Sequence, residues 1–369
     1  MSKIDVLMKD ITKKYGVNTA GYGLAQEEYD KIPFSSPRLN YMTFGGLATG
    51  RIYEFYGPEG SGKTTTAMDI IKNAQIKFAK ESKETGEPEK KVFFLDEEGT
   101  FDRVWASKFG VDVEKIAFFR PQGESAEEVL DVMRQFVETG EIGLAVLDSV
   151  ATLVSGQVYD ESFDKKAYGG IAQTLTRFVN VIKGPLLRYN CTLIMTNQVR
   201  QDLSSMFGGQ ITPGGQAFKH ACSARFCFRK GKFIDKDGNE LNNAAENPAG
   251  NIVHMVIAKS KIFEATRRVG YYTINYVHGP DVINDYVEVG KQVGVINQRG
   301  AFFDIIDTAT GEVLNTDKIQ GKVKLKLELQ SHPEWLQLID STMNGKNVEE
   351  VVDATVLQEA NKLANESGE

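Results

Sequence analysis

GPEGSGKTT, from Gly57 to Thr65, is the stretch of this 369-residue sequence that decides the fold. It fits the pattern G-x-x-x-x-G-K-[ST], in which glycines let backbone N–H groups converge on a phosphate. The preceding run, 51–56, is rich in β-branched and aromatic residues, and the following run, 65–80, has apolar residues at helical spacing. The stretch therefore predicts a strand, a glycine loop and a helix arranged around a nucleotide.

The predicted nucleotide-binding residues are the whole of this loop: Gly57, Pro58, Glu59, Gly60, Ser61, Gly62, Lys63, Thr64 and Thr65. Lys63 is expected to reach the β- and γ-phosphates as a point charge, and the Thr64 hydroxyl is expected to bind Mg²⁺. The positive end of the following helix adds to the attraction for phosphate. The predicted cofactors are therefore ATP and Mg²⁺.

Three other apolar runs end in polar residues, as strands do where their carboxyl ends line a ligand crevice. The run 144–148 ends in Asp148, which we predict to be a second Mg²⁺ ligand. The run 92–96 leads into three consecutive acids at 96–98, one of which could orient the water that attacks the γ-phosphate, and composition does not say which. The run 192–196 leads to Gln198, whose amide could hydrogen-bond the γ-phosphate and respond to its loss.

Strand-like and helical patterns alternate from about residue 34 to about residue 280, which predicts an α/β fold with a mainly parallel central sheet. The predicted strands are 52–56, 92–96, 144–148, 192–196, 224–229, 252–258 and 271–277. A helix is expected at 125–138, opened by a capping box, while the charged stretch 80–91 is expected to be a solvated connector. The predicted divisions are an N-terminal helix and linker at 1–33, an ATPase core at 34–280, a small α+β module at 281–345 and an acidic tail at 346–369.

Composition and charge narrow the class of protein. With 41% hydrophobic and 25% charged residues and no run of 18 apolar residues, we expect a soluble protein without a membrane span. Three sparse cysteines suit buried thiols in a reducing cytoplasm. The net charge of −7 does not exclude nucleic acid, because its distribution is uneven: residues 200–232 carry six basic residues and one acid, whereas acids dominate after 345.

The stretch 199–215 is glycine-rich and poorly periodic, which predicts a long functional loop. It places Arg200, Met206 and Phe207 among small polar residues, where no core requires the apolar side chains. Single-stranded nucleic acid needs such a combination, with charge for its phosphates and side chains that separate or stack its bases. The plainer alternative for the basic region is a solvated sheet edge.

Several motifs occur together and in a fixed order: GRIYEFYGPEGSGKTT, FFLDEEGTFD, AVLDSVATL, MTNQVRQDLSSMFG, TPGGQAFK and AKSKI. Through them, the sequence from about residue 3 to 345 resembles the bacterial RecA recombinase family. The resemblance implies a RecA-type P-loop NTPase core and a homo-oligomeric helical filament on single-stranded DNA, with ATP between neighbouring protomers. It also implies pairing and strand exchange with homologous duplex DNA, accompanied by DNA-stimulated ATP hydrolysis.

The resemblance also implies roles for individual residues. Glu98 matches the glutamate that activates the attacking water, and Gln198 matches the γ-phosphate sensor. Asp102 and Trp105 match the residues that contact and stack the adenine, although the family more often has tyrosine at the second position. The implied catalytic set is Lys63, Glu98, Gln198, Lys259 and Lys261, in which the last two reach the neighbouring protomer's ATP.

The resemblance also implies DNA contacts in two loops, and these are the predicted DNA-binding residues. Lys165 and Lys166 belong to the first loop, at 158–169. In the second loop the predicted residues are Arg200, Met206, Phe207, Gly214 and Gly215.

Two other functions remain open at this point. One is a hexameric helicase or translocase with the same core, against which the lysine pair argues. The other is an ATP-switched protein that binds single-stranded DNA with negligible turnover, which would leave Glu98 without a role.

Overall fold

The computed structural model describes residues 2–15, 29–159, 170–201, 210–242, 244–264 and 266–345. Four of the predicted DNA-binding residues, Lys165, Lys166, Met206 and Phe207, lie outside these ranges, as does the acidic tail. The chain divides into two compact units, residues 1–30 and 31–369.

The helices of the described chain are α1 (Lys3–Tyr15), α2 (Pro37–Met42), α3 (Lys63–Thr85), α4 (Arg103–Lys108), α5 (Ala126–Glu138), α6 (Gly156–Tyr159), α7 (Gly170–Arg188), α8 (Gly215–Ala221), α9 (Val282–Val293), α10 (Lys322–Ser331) and α11 (Pro333–Gly345). The strands are β1 (Lys31–Ile32), β2 (Leu47–Ala48), β3 (Ile52–Gly57), β4 (Lys91–Asp96), β5 (Ile116–Phe119), β6 (Ile142–Asp148), β7 (Thr192–Gln198), β8 (Arg200–Gln201), β9 (Gln210–Ile211), β10 (Ala224–Ile234), β11 (Gly250–Ser260), β12 (Val269–Asn275), β13 (Gly279–Pro280), β14 (Ile296–Arg299), β15 (Phe302–Ile305) and β16 (Ile319–Gln320).

The first unit contains α1, an amphipathic helix. Asp5 in its first turn exchanges hydrogen bonds with Ser2, and Lys13 and Lys14 lie in its last turn. A negative charge near the N-terminus and positive charges near the C-terminus both interact favourably with the helix dipole. Ile4 and Leu7 are more than half exposed on its surface.

The second unit is built on a nine-stranded sheet in the order β13-β12-β11-β10-β3-β7-β6-β4-β5. The five pairings from β10 to β5 are parallel, and the three from β10 to β13 are antiparallel. The predicted mainly parallel sheet is confirmed, and antiparallel pairings extend it from β10 to β13. In β3, β6 and β7 nearly every residue is buried, because helices cover both faces of a parallel sheet.

Alternation along the strands divides the core between the two faces of this sheet. Val92 and Phe94 of β4 pack in one hydrophobic cluster, whereas Phe93 and Leu95 pack in another. A third cluster joins α9, α10 and α11 to the small sheet β14-β15-β16. The division into a core and a separate module at about residue 280 stays a prediction.

Two predictions made from local sequence signals can be compared with the helices α5 and α3. The capping box predicted for α5 is present, with Ser125 and Glu128 each accepting a hydrogen bond from the other's backbone. The connector predicted at 80–91 is wrong in its first part, because α3 continues to Thr85 and ends at Gly86 with φ of 75°. Glu and Lys are good helix formers, and the i,i+4 pairs Lys77–Glu81 and Lys80–Glu84 lie along this turn.

No helix in the described ranges has both the length and the apolar character that a membrane span needs.

Candidate nucleotide site and base of the second loop

The phosphate loop joins β3 to α3 as the sequence predicts. Gly62 is the N-cap of α3 with φ of 97°, and a Cβ there would lie 2.8 Å from Cγ2 of Val253, so the position requires glycine. In the described chain no side chain caps this end of α3. Its first-turn N–H groups and its dipole are therefore available to an anion.

Lys63 is folded back onto the loop. Its Nζ donates hydrogen bonds to the carbonyl oxygens of Gly57, at 3.1 Å, and Pro58, at 2.8 Å. The side chain is buried, and burial lowers the pKa of Lys63, while nearby Asp148, Glu98 and Glu59 act in the opposite direction. A phosphate in the loop would give this ammonium group an anionic partner in place of neutral carbonyls.

The predicted Mg²⁺ ligands lie together. Thr64 Oγ1 donates to Asp148 Oδ2 at 2.8 Å, and Thr196 Oγ1 donates to the other carboxylate oxygen. Burial raises the pKa of Asp148, and Glu98 adds to this effect, while the two hydroxyl donors and Lys63 oppose it. A hydroxyl and a carboxylate at the mouth of a phosphate loop are the hard oxygen ligands that Mg²⁺ prefers, so these residues fit the metal.

Strand register brings these groups to one edge of the sheet. Asp96 pairs with Asp148 across β4 and β6, and Gly57 pairs with Gln198 across β3 and β7. The backbone N–H of Glu98 also donates to the carbonyl of Asp148 at 3.1 Å. Parallel strands end at a common edge, and as a result residues 100 positions apart in the chain line one site.

The three acids at 96–98, the first of which ends β4, have different surroundings in the structure. The Asp96 carboxylate accepts hydrogen bonds from Arg120, whose Nη2 and Nε lie 2.6 Å and 3.0 Å from Oδ2. It also accepts hydrogen bonds from the backbone N–H groups of Thr100 and Phe101. Glu97 Oε2 is buried without a hydrogen-bond partner among the described residues, and burial, with Glu124 and Asp96, raises the pKa of Glu97 to about 7.

Glu98 is the acid that contacts Gln198. Its Oε1 accepts hydrogen bonds from Ser149 Oγ, at 2.7 Å, and from Gln198 Nε2, at 2.9 Å. The choice that the sequence left open is therefore narrowed by contacts that only the fold creates.

A cleft of about 320 Å³ extends from the phosphate loop. Its walls include Trp105, Lys230 and Tyr276 as well as residues 60–65. Asp102 is the N-cap of α4, with Oδ1 accepting the N–H of Trp105 at 2.9 Å, so it positions the helix that carries the indole.

Sequence reasoning missed Tyr276 as a cleft residue. Its hydroxyl donates to Asn251 Oδ1 at 2.8 Å, and both side chains line the cleft. The only local signal was an aromatic residue just after a strand, which did not distinguish it from the other 12 tyrosines (13 in the chain).

Lys259 and Lys261 are not brought to this chain's own phosphate loop. Lys259 Nζ donates to the carbonyl of Lys219 at 2.6 Å, and Lys261 Nζ donates to the carbonyl of His220. Both acceptors belong to the last turn of α8, where a helix favours cations.

The second loop has an ordered base. β8 and β9 form a short antiparallel ladder in which Arg200 pairs with Ile211, and Arg200 Nη2 donates to the carbonyl of Ala151 at 3.0 Å. Gly214 is the N-cap of α8 with φ of 107°, and a Cβ there would lie 2.9 Å from the Phe218 ring. Gly215, the first residue of α8, follows directly. Positive φ angles at Gly214 and Gly215 therefore favour glycine where the loop ends.

Sequence comparisons with known proteins match most of this chain. A family model described as the RecA N-terminal domain matches residues 2–279. "Protein RecA" of Ruminococcus albus is 30% identical over 89% of this chain and 75% of its own length. "Protein RecA" of Aquifex aeolicus is 29% identical over 94% and 95% of the two chains, and that of Azospirillum lipoferum is 31% identical over 85% and 79%.

Proposed function

The chain belongs to the RecA family, whose members are recombinases, and from that premise we propose that it is a DNA-dependent ATPase that forms filaments on single-stranded DNA. In these filaments it would pair the bound strand with a homologous duplex and exchange strands. ATP and Mg²⁺ are the proposed cofactors, which is supported by the loop 57–65 and by the paired oxygens of Thr64 and Asp148.

The proposed catalytic roles follow from the contacts. Thr64 and Asp148 would hold Mg²⁺, which supplies positive charge to the phosphate oxygens. Lys63 binds the β- and γ-phosphates from the loop. Glu98, oriented by Ser149, positions a water molecule and accepts its proton.

One observation carries the proposed coupling between nucleotide and DNA. Gln198 donates its side-chain amide to Glu98 and lies directly before Val199, where the second loop begins. A phosphate beside Glu98 offers this amide a competing acceptor. Occupancy of the nucleotide site therefore alters the starting point of the loop, which we propose to be the part that grips DNA.

The remaining site residues extend the proposal to neighbouring protomers and to DNA. Lys259 and Lys261 would leave the carbonyls of α8 and neutralise charge on the nucleotide of an adjacent protomer. Trp105, positioned by Asp102, would stack on the adenine. The proposed DNA contacts are Lys165, Lys166, Arg200, Met206, Phe207, Gly214 and Gly215.

Electron microscopy of the protein with ATP, Mg²⁺ and a single-stranded oligonucleotide, together with a joint-molecule assay, tests this function. We expect filaments and joint molecules that depend on homology. Closed rings that unwind a forked duplex would instead favour a helicase, and DNA binding without turnover would favour an ATP-switched binding protein.

A further inference from the structure

We propose that Glu54, Asn197 and Arg225 form a buried clamp that fixes the closing end of the second loop to the strand carrying Gln198. By holding the loop in place, the clamp sets how strongly single-stranded DNA stimulates ATP hydrolysis. The inference rests on the proposed function and adds positioning residues to it. None of the three residues touches the phosphate loop or Glu98 in the contacts described above.

Asn197 is the centre of the clamp because its side chain joins both ends of the loop. The residue is fully buried, and its Oδ1 accepts the backbone N–H of Gln198 at 3.0 Å. Its Nδ2 donates to Glu54 Oε1 at 2.7 Å and to the carbonyl of Pro213 at 3.0 Å. Pro213 immediately precedes the glycines that end the loop, so one amide spans from the sensor to the loop's exit.

Arg225 makes the second connection to the closing end. Its Nη2 donates to Thr212 Oγ1 at 3.0 Å, and its Nε donates to Glu54 Oε2. The guanidinium also lies 4.5 Å from the ring centroid of Tyr56. Thr212 and Pro213 are therefore both held by side chains that meet at the Glu54 carboxylate.

Burial makes stability alone a poor explanation for this network. Glu54 is fully buried, and Arg225 and Thr212 are each 7% exposed. Removing an ion pair from water costs free energy that its attraction often only offsets, and apolar residues of similar volume can serve as well. A network in which each member has a defined partner instead specifies one geometry. Here that geometry relates three strands, β3, β7 and β10, to the end of the loop.

The placement of the clamp links it to the nucleotide. Glu54 lies three residues before Gly57 on the strand that enters the phosphate loop, and Asn197 lies directly before Gln198. The closing end of the loop is thus fixed relative to the same two strands that hold the phosphate and its sensor. A loop loosened at this end would still bind and hydrolyse ATP, but it would transmit DNA binding less effectively.

Thr212 offers a test that spares the buried ion pair. Thr212→Val removes the hydroxyl that accepts from Arg225 with little change in shape, and Thr212→Ser keeps it as the matched control. We expect ATP affinity and hydrolysis without DNA to be unchanged in both variants. We expect DNA stimulation to fall about fivefold in Thr212→Val, the factor that about 1 kcal/mol from one hydrogen bond represents, and to be retained in Thr212→Ser.

Amide hydrogen exchange of residues 211, 212, 214 and 215, which surround Pro213, provides a readout that needs no DNA. The clamp predicts faster exchange there in Thr212→Val than in wild type or Thr212→Ser, with exchange in β3 and β7 unchanged. Stimulation and exchange that are equal in all three proteins would overturn the clamp. Absence of stimulation in the wild type would instead contradict the proposed function, and the exchange measurement would then decide the clamp by itself.

Discussion

The side-chain amide of Gln198 lies 2.9 Å from Glu98 Oε1, so the proposed sensor and the proposed catalytic base are in direct contact. The same carboxylate oxygen accepts from Ser149, which follows the proposed metal ligand Asp148. Parallel strand ends bring together residues that are far apart in the sequence: the proposed base Glu98, the proposed metal ligand Asp148 and Gln198, which precedes the second loop. The proposed coupling between nucleotide and DNA depends on this contact between Gln198 and Glu98.

Replacing Glu98 with glutamine tests which acid activates water. Glu98→Gln keeps the shape of the side chain but cannot accept a proton, so we expect hydrolysis to fall by about 10²–10⁴-fold while ATP binding remains. The matched control is Glu97→Gln, because Glu97 is the adjacent acid and lacks the contacts to Ser149 and Gln198. Steady-state hydrolysis and ATP affinity are measured for both variants, and an equal loss in the two would contradict the assignment.

Substitutions at Thr64 test the Mg²⁺ site. Thr64→Val removes the oxygen that lies 2.8 Å from Asp148, whereas Thr64→Ser retains a hydroxyl. We expect the valine variant to need on the order of tenfold more Mg²⁺ for half-maximal hydrolysis and the serine variant to resemble wild type. Titration of Mg²⁺ at fixed ATP gives the answer, and identical Mg²⁺ dependence in all three proteins would argue against this ligand.

The chain has two tryptophans, so tryptophan fluorescence can report ATP binding in the cleft. Trp105 lines the cleft, while Trp335 packs in the hydrophobic cluster of α9–α11. In a Trp335→Phe background we expect ATP to quench the emission of Trp105, since the base stacks on the indole. Trp105→Ala should weaken ATP binding by roughly 5- to 150-fold, as expected for a stacking contribution of about 1–3 kcal/mol. Emission from Trp105 that ATP leaves unchanged would place the base elsewhere.

Asp285 predicts a pH dependence of stability. It is buried where α9 meets α2, and burial raises its pKa to about 6, with Glu288 and Asp281 adding to the effect and Arg38 and the hydroxyl of Ser36 opposing it. A carboxyl whose pKa is higher in the folded state than its ordinary 3.8 stabilises the fold most when protonated, and this contribution is lost as the pH rises from 3.8 through about 6.

Asp285→Asn removes that titration. Relative to wild type, the variant should gain up to about 3 kcal/mol of unfolding free energy between about pH 4 and about pH 7. Urea unfolding at several pH values measures the difference between the two proteins. Stability curves that run parallel over this range would show that ionisation of Asp285 does not affect folding.

Much of the fold could be predicted because its signals are local. The loop at 57–65 carries its own motif, and three buried strands, β4, β6 and β7, are apolar runs that end in polar residues. From those ends alone, Lys63, Thr64, Asp148 and Gln198 could be expected at one edge of a parallel sheet.

The features that could not be predicted from the sequence depend on strand register and side-chain packing. The choice among the acids at 96–98 required the contacts of Arg120 with Asp96 and of Gln198 with Glu98. Tyr276 enters the cleft from the antiparallel part of the sheet, and the bonds of Lys259 to α8 join elements 40 residues apart. The length of α3 was underestimated because charged side chains that suit a connector also form good helices.

ATP hydrolysis by wild type and Gln198→Ala, each measured with and without single-stranded DNA, tests directly whether Gln198 couples the nucleotide site to the second loop. Gln201→Ala, an exposed glutamine in β8, is the matched control. We predict that DNA stimulates wild type and the control, whereas Gln198→Ala binds ATP but responds little to DNA because the amide that joins Glu98 to the loop is gone. Undiminished DNA stimulation in Gln198→Ala would contradict the proposal that Gln198 couples the nucleotide site to the second loop.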